Sequence, residues 1–232
     1  YKGFEPKWML QRAPENSYRS IFRWGDPDFF KYPKESLYKY VKKRCNLKDE
    51  EFMQYNDDLG LDPVNLGEEH APKIDKKHVK AIAGEKNVSQ SDYDRLAVSY
   101  GQTMYDLLRM RHRRFDSLPD LVVFPETSEQ IEKIVAYVTK NKIPLYVYGG
   151  GSSVTRGVEP INGGVSLDMR RNFNKVIKFN ETDQTITVQA GMSGPKLEQT
   201  LQNAQSLFGA KRPYTCGHFP QSFEYSSVGG WT

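Results

Sequence analysis

The sequence predicts an α+β fold, with a mixed sheet and flanking helices preceded by a helical and irregular N-terminal region. Three observations carry this. An apolar run, a capped amphipathic helix and a second apolar run follow one another over residues 121–148. That order is the signature of a parallel strand–helix–strand unit with a right-handed crossover. Two runs at 175–179 and 185–189 are joined by a polar turn and read as an antiparallel hairpin. Before residue 90, by contrast, the chain is rich in Lys, Tyr, Asp and Pro and has little clean periodicity.

Composition sets the outer bounds. The chain has 232 residues, 38% hydrophobic and 27% charged, which suits one or two globular domains with a real core. The formal net charge of +4, from 33 basic and 29 acidic residues, is too mild to point to nucleic acid. No apolar run approaches the ~18 residues of a membrane span. The stretch from Tyr1 to Gln11 is polar and aromatic, unlike a secretory signal. Cys45 and Cys216 lie far apart, so no disulfide framework is expected and a reducing compartment is the default. Neither CxxC nor HExxH occurs, and no metal site is expected.

Along the chain, a helix is predicted around Lys34–Arg44, with Leu37, Tyr40 and Val41 as its apolar face. Residues 56–88, punctuated by Gly60, Pro63, Gly67, Pro72 and Gly84, read as an irregular wrapping segment. Residues 91–114 read as one longer helix, with Leu96, Tyr100, Met104, Leu107 and Leu108 near one face. It ends in Arg109, Arg111, Arg113 and Arg114, either a solvated helix end favourable to the macrodipole or a phosphate contact.

Leu121–Phe124 then reads as a buried strand ended by Pro125. Thr127 and Gln130 form a capping box for a helix carrying Ile131, Ile134, Val135 and Val138 and ending near Asn141. Leu145–Tyr148 is the next strand, and Val165–Met169 another. Lys175–Phe179 and Thr185–Gln189 form the hairpin, and Ala190-Gly191 breaks it. A helix starts at Ser193 or Gly194, with Pro195 in its first turn and Leu197 and Leu201 buried.

The glycine run is the strongest local feature. Gly149, Gly150 and Gly151 remove three side chains directly after a strand, and Ser152 and Ser153 add hydroxyls. Such a stretch can form a concave array of amides for an anion such as a pyrophosphate. It can equally be a tight turn that needs positive φ. Neither GxxxxGK[ST] nor GxGxxG between strand and helix is present, which excludes those two nucleotide loops. A second cluster, Pro220 to Trp231, mixes hydroxyls, aromatics and a Gly pair and could by itself be any surface loop.

In three elements taken in order, the chain resembles the FAD-binding (PCMH-type) domain of the vanillyl-alcohol oxidase and p-cresol methylhydroxylase superfamily. They are Leu121–Thr127 before the capped helix, Tyr148–Ser153, and Ser222–Trp231. Within it, the chain is most similar to the alkyldihydroxyacetonephosphate synthase group and its bacterial relatives. That likeness rests on Ser166–Met169 with Asn174, Val188–Gly194 with Leu197-Glu198, and Gly217-His218 leading into Pro220–Trp231. It extends upstream through Phe22–Gly25 and Leu107–Arg109.

The resemblance implies an FAD-binding domain over 118–232, incomplete at its C-terminal end and lacking a substrate-bearing cap domain, after an N-terminal region over 1–117. It implies FAD contacts from Val147, Tyr148, Gly149, Gly150, Gly151, Ser152, Ser153 and Val154 around the pyrophosphate. Further along it implies Pro220, Gln221, Ser222, Phe223, Glu224, Tyr225 and Ser226, with Gly229 and Gly230. Asp168 and the Ala190-Gly191 break are expected nearby.

Some superfamily members attach FAD through a His in the glycine loop. Here that place is Gly151, so non-covalent FAD is expected. His218 is assigned either a structural hydrogen bond or a place beside the flavin. Cys216 is read as a small packed residue, and His70, His78 and His112 as solvent-facing.

The activity implied is exchange of an acyl for an alkyl chain through a flavin adduct, in ether-lipid synthesis. The alternatives are a 2-hydroxy-acid dehydrogenase or oxidase of the D-lactate or glycolate type, or a truncated, non-catalytic FAD-binding fragment. A small-molecule or lipid-phosphate substrate is expected, with no nucleic acid and no membrane span. Peripheral membrane contact and a homodimer are compatible with this. The expected compartment is cytoplasmic, or peroxisomal for a eukaryotic synthase. No catalytic acid or base is assigned.

Overall fold

Leu121, Val122 and Val123 are apolar on both sides of the chain, the pattern of a strand covered on both faces. In the computed structural model they are fully buried as strand β2. The structure describes residues 13–21, 35–53 and 60–232, without the side chains of Phe52 and Met53.

The chain divides into two compact units, Tyr1–Val64 and Asn65–Thr232. The first contains helices α1 (Tyr18–Ile21), α2 (Glu35–Arg44) and α3 (Asp49–Met53). Its described ends meet where Arg19 N–H donates to the Gly60 carbonyl (2.8 Å) and Val64 N–H to the Asn16 carbonyl (2.8 Å). Helix α2 follows the expected span, yet Leu37 and Tyr40 are exposed and no residue of it is buried. The Phe22–Gly25 motif lies outside the described residues.

The second unit holds a four-stranded sheet in the order β1-β2-β4-β3: β1 Val88–Ser89, β2 Leu121–Val123, β4 Val165–Asp168 and β3 Leu145–Tyr148. β4 pairs in parallel with both β2 and β3, while β1 is antiparallel to β2, so the sheet is mixed. The strand–helix–strand unit is present with one strand, β4, inserted between its two strands. β5 (Val176–Asn180) and β6 (Thr185–Val188) form the hairpin, with a bulge between Val176 and Lys178.

One sheet face is covered by α4 (Lys77–Ala83) and α7 (Ser128–Lys140). Val79, Ala83, Ile134 and Val138 pack there with Leu121, Val123, Val165 and Leu167. The other face carries Val122, Phe124 and Tyr148, packed with Val98. Thr127 caps α7 by accepting from Gln130 N–H (3.2 Å), and Gln130 reaches back to the Glu126 N–H. Of the predicted α7 stripe, Val135 faces solvent. The hairpin covers α8 (Gly194–Gln202) through Met192, Leu197 and Leu201, and α9 (Ala204–Phe208) follows. Ser193 caps α8.

Two upstream expectations are corrected. Residues 56–88, where described, are more than an irregular wrap: they hold α4 and one residue of β1, short elements whose burial depends on partners distant in sequence. Residues 91–114 are two helices, α5 (Asp92–Ala97) and α6 (Met104–Arg111). The break is physical. Gly101 lies against Ser153, and Thr103 with Asp106 starts a new helix through a complete capping box. The restart turns the predicted face outward, leaving Met104 and Leu108 70% and 46% exposed.

Candidate functional site

Two sequence segments about 70 residues apart meet at the C-terminal ends of the parallel strands, where open α/β sheets bind ligands. The first is the glycine loop leaving β3. The second is Pro220–Gly230, which begins as a turn: Phe223 N–H donates to the Pro220 carbonyl (3.0 Å), and the Tyr225 and Ser226 N–H groups to that of Ser222 (both 2.8 Å). It then runs beside the stretch between β6 and α8. Val228 N–H donates to the Met192 carbonyl (2.8 Å), Gly229 N–H to that of Ala190 (2.9 Å), and Ser193 bridges Ser227. Trp231 Nε1 donates to Ser226 Oγ (2.7 Å), and its ring stacks on Phe223 at 5.7 Å.

The glycines make this meeting sterically feasible. A Cβ at Gly149 would lie 2.4 Å from Ser227 Oγ, and one at Gly150 only 1.8 Å from the Tyr225 carbonyl oxygen. Gly151 has φ +70° with the Tyr148 hydroxyl against it. The space freed by the absent side chains is therefore filled by protein. What the loop offers outward is its backbone. Among the described residues, no acceptor takes a hydrogen bond from any N–H of Gly149 to Val154. Gly151 is buried and Gly149, Gly150, Ser152 and Ser153 half-buried, and such a run of unpaired donors is poor for a purely structural turn and suited to an anion. On this observation the loop fits the pyrophosphate of FAD.

The remaining predicted residues fall around this junction. Val147 and Val154 are exposed, and Ser152 and Ser153 half-buried. Ser153 Oγ accepts from Thr155 N–H (3.4 Å). Asp168 ends β4 opposite Tyr148, buried, and accepts from the Arg170 backbone N–H (2.9 Å), Nε (3.0 Å) and Nη2 (2.6 Å). Arg170 lies 4.6 Å over the Tyr148 ring. Burial pushes the Tyr148 phenol above its ordinary pKa, so it stays protonated. Asp168 thus orders the turn after β4, its oxygens engaged by one guanidinium. Gly191 packs against the Met169 carbonyl, so the Ala190-Gly191 break joins the same cluster.

Gln221 and Glu224 are exposed, as are Gly229 and Gly230. His218 is exposed, its ring set edge-to-face with that of Trp231 at 6.3 Å between centroids. Cys216 packs on the hairpin core, and its N–H donates to Glu198 (3.0 Å). His78, though exposed, stacks on Tyr137 at 4.3 Å.

One cluster escaped sequence reasoning. Arg109 is neither a solvated helix end nor a free phosphate ligand: it is 7% exposed. Its Nη1 donates to Glu159 Oε1 (2.6 Å) and its Nη2 to Asp116 (3.1 Å). Glu159, also buried, accepts from Ser117 Oγ (2.8 Å) and Arg156 Nε (2.6 Å). Burial pushes the Glu159 carboxyl up, but the hydrogen bonds from Arg109, Ser117 and Arg156 outweigh it and hold the pKa below the ordinary value. Burial pushes the nearby Tyr100 phenol up to about 12. No local sequence pattern signals this arrangement, because two of the partners of Glu159 are distant in sequence. No group of His, Cys, Asp and Glu among the described residues could hold a metal ion, and no described helix is long and apolar enough to cross a membrane.

Comparison with known proteins matches residues 119–232 to the family model described as an FAD binding domain. The chain is 30% identical over 221 residues to alkyldihydroxyacetonephosphate synthase of Dictyostelium discoideum, covering 88% of this chain and 33% of that protein. It is 30% identical over 145 residues to the D-lactate dehydrogenase [cytochrome] 1, mitochondrial, of Saccharomyces cerevisiae, covering 60% and 24%. A solved structure of alkyldihydroxyacetonephosphate synthase superposes with a TM-score of 0.63 at 31% identity, covering 70% of this chain and 29% of that one. The chain spans about a third of the length of the first of these relatives.

Proposed function

We propose, from the match of residues 119–232 to the FAD binding domain family model, that the whole protein is a flavoenzyme of the alkyldihydroxyacetonephosphate synthase type. The carrying observation is the extent of likeness. Both similarities extend upstream of residue 119, but the one to the synthase covers 88% of the chain and the one to the D-lactate dehydrogenase 60%.

In this proposal FAD, when bound, would supply the flavin chemistry through which the chains are exchanged without net redox. The chain's own part is to hold it. The amides of Gly149–Val154, entered through Val147 and Tyr148, take the pyrophosphate. Pro220–Ser226 with Gly229 and Gly230 line the cofactor further along. Asp168, through Arg170, keeps the end of β4 ordered beside them. Gly151 offers no side-chain atom for attachment, which supports non-covalent binding. The substrate would be a lipid phosphate whose acyl chain is exchanged for an alkyl chain. The similarity to D-lactate dehydrogenase favours a second reading, oxidation of a small 2-hydroxy acid.

An absorption spectrum of the purified full-length protein, taken before and after acid precipitation, tests the cofactor. Yellow colour released into the supernatant is expected. Colour kept in the pellet overturns non-covalent attachment, and a protein that stays colourless with added FAD overturns the reading. Turnover with an acyl-dihydroxyacetone phosphate and a long-chain alcohol, against dye reduction with D-lactate, then separates the two substrate classes.

A further inference from the structure

We propose that Arg109 and Glu159 are positioning residues for the cofactor's pyrophosphate, bracing the chain that leaves the glycine loop against helix α6. The proposal rests on the FAD reading and extends it beyond the matched family segment, since Arg109 lies before residue 119 and Glu159 within the segment.

The brace has two anchors. At the loop, Gln102 N–H donates to the Ser153 carbonyl (2.8 Å), and a Cβ at Gly101 would come within 2.2 Å of that oxygen. The Ser153–Val154 peptide, trans like every described one, is thereby turned so that its N–H points away from Gln102. Six residues later, Glu159 is fastened by Arg109, Ser117 and Arg156. Both guanidinium groups lie over the Tyr105 ring, Arg109 at 4.6 Å and Arg156 at 5.2 Å from its centroid. Ser117 is held in turn, its N–H donating to the Tyr100 hydroxyl (3.2 Å).

An amide array binds an anion well only if its geometry is fixed before binding. From Gly149 to Val154 no amide has a protein acceptor among the described residues, so the loop cannot hold its shape through its own N–H groups. Its first half is wedged by Tyr225 and Ser227, and its exit is held by the α6 brace. Arg109 suits this role because its planar fork reaches Glu159 and Asp116 at once, which a lysine cannot do.

Full-length protein stripped of flavin is titrated with FAD, and with ADP as a probe that carries the pyrophosphate but no flavin ring. The variants are Arg109→Lys and Glu159→Gln, each measured well below its own melting temperature. Both ligands should bind roughly tenfold more weakly in both variants, within the range that network substitutions produce. Should one variant not fold, the other decides. Wild-type affinity for FAD and ADP in a folded variant overturns the proposal while leaving the cofactor reading intact. Weakened FAD with unchanged ADP also overturns it, because the effect would then lie away from the pyrophosphate. A wild type that takes up no FAD brings down the cofactor reading and the proposal together.

Discussion

A methyl group on Gly150 would lie 1.8 Å from the Tyr225 carbonyl oxygen, and the Tyr225 segment cannot move aside without disturbing the hydrogen bonds of its own turn. Gly150→Ala should therefore cost about 1–3 kcal/mol, lowering the melting temperature in calorimetry and reducing the FAD retained per protein. Unchanged stability would mean that Tyr225 does not press on the loop. The glycine run was legible in the sequence, but the reason for it was not. The chain suggested room for a ligand, whereas the room is taken by a segment 75 residues later, a contact that no local pattern encodes.

Glu159 carries a second prediction at this scale. Its pKa in the folded protein lies below the ordinary value of 4.5. Its stabilisation is thus present above about pH 4.5 and is lost as pH falls through the folded value. As pH falls below 4.5, wild type should lose stability more steeply than Glu159→Gln in melts taken at successive pH values. Parallel curves would sink the assignment. The residue carried no sequence signal, since its three partners lie 3, 42 and 50 positions away.

Helices were legible where cap and period agreed. For α7, Thr127, Gln130 and the spacing of Ile131, Ile134 and Val138 all favour the same span, and that span is observed. Thr127→Ala removes the acceptor for Gln130 N–H and should cost about 1 kcal/mol, read as a lower melting temperature with no change in flavin spectrum. For α5 and α6 the period misleads. The apolar spacing from Leu96 to Leu108 suggested one helix, whereas the structure starts a new one with the capping box of Thr103 and Asp106. The cap prevailed because tertiary contact at Gly101 fixes the break. Strand β1 is two residues long, too short to express a period, and exists through its pairing with β2.

At the scale of the molecule, the family match begins at residue 119, but the core does not. Val79, Ala83 and Val88 are buried in the same cluster as Leu121, Ile134 and Val165. Burying a valine side chain is worth about 1.5–3 kcal/mol, against a total stability of about 5–15 kcal/mol. Removing residues 1–118 would strip this cover from one sheet face, unpair β2 along its outer edge, and delete Arg109 and Gln102 from the loop brace. Removing residues 1–64 would leave all of it, because the second compact unit begins at Asn65. Two deletions in the full-length protein should therefore part sharply. The shorter deletion should remain soluble and yellow with a melting temperature near that of the parent. The longer should aggregate or lose FAD on gel filtration. Retention of flavin by the longer deletion would show that α4, β1 and α6 are dispensable decoration on the sheet. Loss of flavin by both would place Tyr1–Val64 within the cofactor domain's folding unit.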